Sequence, residues 1–501
     1  MNRSKFQTDD LVIIEPSYYS DGIPVFHPTS KQFDNFYQFN KAINKYGMKS
    51  GIIKVIPPRK WLDLLAHNYS DDRINGIKIR NPIIQHIHGT SNGVYSQQNV
   101  ERNRSYNIYQ WKKMSESSAH QPPTSTSLSR SKRGNADHDH KHNNDKDHDN
   151  ANHDNDGAYH SKLPVDGKKF NIDTSEFTSK RCQALEKVYW KSLTYTEPMY
   201  GADVLGSIFD DTITSWNVNH LPNVLDLMEE KVPGVNDAYL YAGLWKATFA
   251  WHLEDQDLYS INYIHFGAPK QWYLIPQNQE TKFFELMKQI YDDEWRSCPE
   301  FLRHKTFLVS PQFLDKHGIK YNKVIHYQGE FIITYPYGYH AGFNYGYNLA
   351  ESVNFALDDW FIIGEVANIC QCIPDAVHIN INELRSKFYG TPCIPDDTDT
   401  DDDKEKEEVQ QLNPKKRSTP DLKRLSLHKI QYETSAAEVR CGLVVFNDQQ
   451  NFQLQLLNYP QLDKIESVPY RDVIVDDDWN YFWVKQRKLT LSLKMDRTIH
   501  K

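Results

Sequence analysis

Cysteine is scarce, with six residues in a chain of 501. That is too few for a disulfide scaffold, so an intracellular setting is expected. No stretch approaches the ~18 consecutive apolar residues of a membrane-spanning helix. The first residues, Met1-Asn2-Arg3-Ser4-Lys5, lead into no apolar core of a secretion signal. An excess of positive charge is lacking as well: 58 Lys and Arg stand against 66 Asp and Glu, a net charge of −8. The chain as a whole is therefore not a polycation that coats nucleic acid, and contact with such a partner rests on local patches. What is present is apolar and aromatic: 39% hydrophobic residues, including 11 Trp, 30 Tyr and 23 Phe. A chain of this length and make-up can bury a sizeable core and form roughly two to four domains.

Composition divides the chain. Near the start come an apolar strand-like run, Leu11-Val12-Ile13-Ile14, and then Pro16. The spacing of Phe33, Phe36, Tyr37, Phe39 and Ile43 predicts an amphipathic helix, and Ile52 to Ile56 a strand closed by Pro57-Pro58. A mixed connecting region spans 65–113. Residues 114–165, rich first in Ser and Thr and then in Asp, His and Asn, read as a disordered insertion whose histidines hold metal weakly at best. From 166 to 392 short aromatic-rich strands dominate, such as Tyr239 to Tyr241, Ser260 to Ile264, Trp272 to Ile275 and Glu330 to Thr334. Without alternating helices these suggest a sandwich or barrel. The stretch 393–435 reads as a linker, with nine acids against two lysines in 396–408. A basic cluster follows from Pro414 to Arg417 and at Lys423-Arg424, compatible with nuclear import or with a solvated basic stretch. Residues 436–501 hold strand-like runs and a Trp479/Tyr481/Phe482/Trp483 cluster to which no function attaches.

The most informative stretch is Phe249-Ala250-Trp251-His252-Leu253-Glu254. On a strand, residues two apart share a face, so His252 and Glu254 are placed to grip one ion. A histidine from another strand would complete a facial triad, and His340 in Tyr335-Pro336-Tyr337-Gly338-Tyr339-His340 leads the candidates. Three protein ligands on one face leave open positions, as a non-haem Fe(II) oxygenase requires. His-x-Glu alone arises often by chance. His265 and His326 read as ordinary core or surface histidines, with no carboxylate at strand spacing to pair them.

At these residues the chain resembles the Jumonji histone lysine demethylases. Gly234 to Phe355 is similar to the JmjC domain, and 12–64, with Pro24-Val25-Phe26-His27-Pro28-Thr29 and Val55-Ile56-Pro57-Pro58-Arg59-Lys60-Trp61, is similar to the JmjN domain. The likeness is to the trimethyl-lysine JmjN/JmjC subfamily and its fungal relatives, over about half of the chain. It implies a mainly β fold with flanking helices, a double-stranded β-helix (cupin-like jelly roll) with the JmjN segment packed on it, lying within 166–392. It also implies Fe(II) on His252, Glu254 and His340. The 2-oxoglutarate cosubstrate would be held by Tyr200 and Lys270 at its distal carboxylate, with Asn262 near the ketoacid end. A phenol and an ammonium suit a dicarboxylate, although either residue alone reads as core or surface.

Cys298, His304, Cys370 and Cys372 match the subfamily's zinc ligands. Cys-x₅-His followed by a distant Cys-x-Cys is not a standard finger spacing, and four N/S ligands would make the site structural. The matching methyl-lysine pocket is polar: Gly234, Tyr241, Glu254, Ser352 and Asn354, with Tyr239 as a nearby wall. The pattern departs at Val353, where relatives carry a hydroxyl. The implied reaction is N-methyl hydroxylation with release of formaldehyde, on tri- or dimethylated lysine of histone H3, lysine 36 favoured and lysine 9 next, in the nucleus. Two other readings stand beside it: a catalytically inactive Jumonji-fold chromatin regulator, and a protein hydroxylase on the same fold. No finger-like Cys and His spacing follows Cys372, so sequence-specific DNA binding by C₂H₂ fingers is not expected.

Overall fold

In the computed structural model, residues 13–89, 92–124, 162–370, 372 and 377–390 are described, with the backbone of seven strands between 429 and 495. They form two units, 1–379 and 380–501.

The first unit is a jelly roll built from two sheets, antiparallel except where Ile23–Phe26 runs parallel to Ile52–Val55. The smaller has four strands in the order Thr248–His252, His340–Asn344, Lys270–Leu274 and Asn322–His326. The larger has eleven, with Phe331–Thr334, Tyr259–Gly267, Asn348–Phe355, Tyr239–Gly243 and Met199–Leu205 adjacent at its centre. The sheets face one another: Trp272, Leu274 and Val324 of the small sheet share one apolar cluster with Ile332 of the large one. All nine residues of Tyr259–Gly267 are buried, because strands flank it on both edges and core covers both faces.

The N-terminal segment completes the large sheet. Ile52–Val55 pairs antiparallel with Phe331–Thr334, setting Ile52 against Thr334 and Val55 against Phe331. Before it runs the helix Phe36–Ser50, capped by the Asn35 side chain and ended by Gly51 in the left-handed region at φ 77°. The expected helix is split: Ser30–Phe33 is a separate turn, since the chain must restart at the Asn35 cap. The apolar spacing holds across the break, and Phe33, Phe36 and Phe39 all pack on Trp216. Lys54 donates to Glu330 across the junction at 3.0 Å, both side chains almost fully buried.

Gly47 sits against the Tyr335 ring, where a Cβ would come within 1.9 Å. Gly47→Ala is expected to lower unfolding stability by about 1–3 kcal/mol through overpacking, read from a urea midpoint. An unchanged midpoint would show that Tyr335 swings aside at no cost.

Three expectations need correction. The apolar run at 11–14 forms no strand where it is described: Ile13 is exposed, Ile14 is buried, and no neighbouring strand pairs with them (Leu11 and Val12 lie outside the described residues). The described ends of the 114–165 insertion are folded. The helix Ile108–Ser115 runs into it, and Arg181 holds the Pro123 carbonyl. At the far end Val165 is buried and Asp166 accepts from the Leu163 amide; the Asp/His/Asn tract itself lies outside the described residues. The strand Lys429–Glu433 falls inside the expected linker, where it pairs with Val439–Asn447 and Leu489–Met495. It belongs to a seven-stranded antiparallel sheet of the second unit, and the basic cluster before it is outside the described residues.

Candidate metal centre and cosubstrate pocket

His252 ends its strand directly across from His340, which begins the neighbouring one. A register shift between Phe249 and His252 sets this pairing, the kind of bulge that re-aims a side chain. The strand stops at His252, short of the expected Glu254. Glu254 remains extended (φ −68°, ψ 156°), so the two-residue alternation still turns its carboxylate to the same face.

Each histidine faces a main-chain carbonyl through Nδ1: His252 to Ala250 at 2.7 Å and His340 to Gly338 at 3.0 Å. A carbonyl only accepts, so Nδ1 carries a proton and Nε2 is the ring nitrogen left facing the site. The His340 Nε2 lies 3.3 Å from Glu254 Oε1. The three donor atoms lie within 4.8 Å of one another.

Burial holds His252 well below the usual imidazole range, reinforced by His340, so it is neutral and ready to ligate. Burial by itself would raise Glu254, but its hydrogen bond to His340 and the charge of Lys305 hold it well below the usual carboxylate range, so it is ionised. Two imidazoles and one carboxylate on one face fit a hexacoordinate Fe(II) with open positions.

The triad opens into a cavity of about 210 Å³ that lies between the two sheets. The structure places Tyr200, Asn262, Lys270, Gly234, Tyr241, Ser352 and Asn354 on its wall. Lys270 is 1% exposed, and among the described residues no carboxylate pairs with it; its Nζ lies 5.8 Å from the centre of the Tyr241 ring. Burial pushes its ammonium down to about 7. A buried cation without a counter-charge calls for an anionic ligand. The Asn262 Oδ1 is also buried without a partner, while Ser352 and Asn354 are tied to the main chain at Ile261 and Tyr259.

Tyr239 does not reach the cavity. Its ring lies against Gly234, where a Cβ would meet it at 2.7 Å, so it backs the wall at one remove. His265 does have a carboxylate partner, Glu351 on the adjacent strand at 2.9 Å, both fully buried. The pairing crosses strands, and for that reason spacing along the chain did not reveal it.

Eight further polar residues line the cavity that sequence reasoning missed, Gln97, Asp203, Asp255 and Lys305 among them. Lys305 follows His304 in the left-handed region (φ 56°), and Gln97 leaves its Oε1 buried and unpartnered. Asp255, beside Glu254, carried the only signal within the chain. The others come from separate elements.

Cys298, His304, Cys370 and Cys372 converge at a second centre. Cys298 Sγ lies 3.7 Å from Cys370 Sγ, and His304 Nε2 is 3.3 Å and 3.0 Å from Cys370 and Cys372. A tetrahedral zinc with ~2.3 Å Zn–S bonds sets its sulfurs roughly 3.8 Å apart. Cys298 and Cys370 are at that spacing and Cys370 and Cys372 are closer, at 3.1 Å, and three sulfurs with one imidazole nitrogen make up the donor set of a closed structural site.

A double-stranded β-helix with an inward His-x-Glu…His triad defines a metal-dependent cupin-type oxygenase fold. The JmjC domain, hydroxylase, matches residues 239–355 and the jmjN domain matches 24–57. The chain thus carries one segment that matches the jmjN domain and one that matches the JmjC domain. It is 35% identical over 355 residues to lysine-specific demethylase 4D of Rattus norvegicus, covering 70% of this chain and 58% of that protein. It is 35% identical over 365 residues to lysine-specific demethylase 4B of Mus musculus (72% and 28%), and 36% identical over 362 residues to probable lysine-specific demethylase 4F of Homo sapiens (71% and 47%). The chain spans between 28% and 58% of the length of these relatives.

Proposed function

We propose that the protein is an Fe(II)- and 2-oxoglutarate-dependent demethylase that acts on tri- or dimethylated lysine of histone H3, lysine 36 before lysine 9, in the nucleus. The observation that carries this reading is the unpaired Lys270 ammonium buried in the same cavity as the triad. The similarity to lysine-specific demethylases supports the substrate class.

Fe(II) held by His252, Glu254 and His340 would supply the oxygen activation that couples cosubstrate decarboxylation to hydroxylation of an N-methyl group. The balance is one O₂ and one 2-oxoglutarate for succinate, CO₂ and formaldehyde, with the lysine losing one methyl. Lys270 and the Tyr200 phenol bind the distal carboxylate, and burial keeps the Tyr200 proton in place to donate. Asn262 orients the ketoacid end when its amide turns its NH₂ to donate to the ketoacid oxygens. Oxygens of Gly234, Tyr241, Glu254, Ser352 and Asn354 receive the polarised N-methyl hydrogens through weak CH···O contacts. Val353, also on the wall, offers methyl groups rather than a hydroxyl, and this residue bears on how many methyls are accepted. Because every triad and cosubstrate position is filled, catalysis is favoured over an inactive scaffold.

The test is turnover of trimethylated H3 peptides with Fe(II), 2-oxoglutarate and ascorbate, followed by mass spectrometry beside His252→Ala. Loss of 14 Da per methyl (a mass of the chemistry, roughly one CH₂) from one peptide, absent in the variant, is the expected result. Consumption of 2-oxoglutarate with no methyl lost from any peptide would point to another substrate, and no turnover at all to a non-catalytic role.

A further inference from the structure

Directly behind Glu254 the main chain is strained. Gln256 and Asp257 are consecutive non-glycine residues with positive φ, 48° and 49°, a conformation that side-chain-bearing residues rarely adopt. Such a turn persists only where its surroundings enforce it, and two clamps do so here. On one side Arg303, 9% exposed, reaches three acceptors with one guanidinium. It donates to the Glu254 carbonyl at 2.5 Å, to Asp257 Oδ1 at 2.9 Å and to Glu300 Oε2 at 2.9 Å. On the other side the Gln256 side chain accepts from the Ile379 amide at 2.9 Å and donates towards the carbonyls of Ile379 and Gly364. Trp360 adds a hydrogen bond to the Gln256 carbonyl at 3.0 Å.

Both clamps lead to the Cys/His cluster. Arg303 and Glu300 lie between Cys298 and His304, while Gly364 and Ile379 lie on either side of Cys370 and Cys372. The cluster thus closes the two arms that grip the strained turn.

We propose that Arg303 is a positioning residue that couples the Cys/His cluster to the triad, setting the Glu254 carboxylate through its main chain. This rests on the reading of His252, Glu254 and His340 as a metal site. Arg303 does not line the cavity, so its influence travels through the Glu254 carbonyl and Asp257. A planar fork with donors in three directions suits this task, and a lysine cannot replace it in full. By linkage, whatever the cluster contributes to holding the turn, it contributes to the affinity of the triad for its ion.

The experiment titrates Mn(II) into the full chain holding one zinc, following free Mn(II) by its EPR signal, with zinc content and melting temperature recorded alongside. Wild type against His252→Ala first establishes that the ion sits on the triad; if wild type binds no Mn(II), the metal-site reading and this inference both fall. With binding established, Arg303→Gln is expected to raise the Mn(II) Kd about 10- to 100-fold at one zinc per chain. Arg303→Lys should recover part of the loss, and Glu300→Gln, which cuts only the cluster-side tie, should cause a smaller rise. A merely structural arginine would lower the melting temperature and leave the Kd of the folded protein unchanged, and that result overturns the proposal. If Arg303→Gln does not fold, Asp257→Asn decides in its place: a raised Kd supports the coupling and an unchanged one refutes it.

Discussion

Lys270→Met weakens 2-oxoglutarate binding by about 2–5 kcal/mol, or roughly 30- to 5,000-fold, because it removes one partner of a desolvated charge pair. The fold should tolerate the change, since an unpaired buried ammonium is replaced by an apolar side chain of similar length. Isothermal titration of the cosubstrate into wild type and variant would measure it, with equal affinities excluding Lys270 from the distal carboxylate.

The same group sets a pH dependence whose sign can be worked out. Burial lowers Lys270 to about 7 in the folded protein, against roughly 10.4 for an exposed lysine. Between those limits the unfolded chain binds more protons, so this lysine's share of stability grows as pH rises from about 7. Cosubstrate binding runs the opposite way. The ammonium must be charged to meet the carboxylate, so affinity falls by up to about tenfold per pH unit above about 7. Thermal stabilisation by 2-oxoglutarate should therefore shrink between pH 7 and pH 9 while the unliganded protein loses nothing from this source. Lys270→Met should flatten that profile.

The second large effect concerns the Cys/His cluster. Cys298 and Cys370 are 72 residues apart along the chain, and a cross-link closing a loop of that size stabilises by roughly 4 kcal/mol on loop entropy alone. Cys370→Ser is expected to abolish stoichiometric zinc and to lower the melting temperature by about 8–16 °C, at ~2–4 °C per kcal/mol. Zinc by elemental analysis and a thermal melt check both parts. Full zinc retention with an unshifted melt would mean that Cys370 is no ligand.

The strand segments were legible because they are local. Ser260 to Ile264, Trp272 to Ile275 and Glu330 to Thr334 carry β-branched and aromatic residues bounded by turn formers, and each falls on a strand of the jelly roll, with only Ile275 and Glu330 just beyond the strand ends. The helix was legible from its apolar spacing, but its break at Asn35 depended on a capping hydrogen bond that spacing does not encode. His252 and Glu254 were joined by the two-residue alternation alone. His340 led the candidates for the third ligand although no local rule alone selects one histidine among 21, and Lys270 came from resemblance.

What the sequence by itself determined is the inventory: two short strands' worth of ligands, a lysine, a phenol, and four cysteine and histidine residues with no standard spacing. The tertiary structure decided how they act. The bulge before His252 set it against His340, the closing of two sheets buried Lys270 with no carboxylate partner among the described residues, and cross-strand pairing gave His265 to Glu351. The strained turn behind Glu254 and the arginine that holds it also exist only in the folded chain. Each of these depends on atoms far apart in sequence meeting at hydrogen-bond distance or failing to, and local periodicity has no access to such distances.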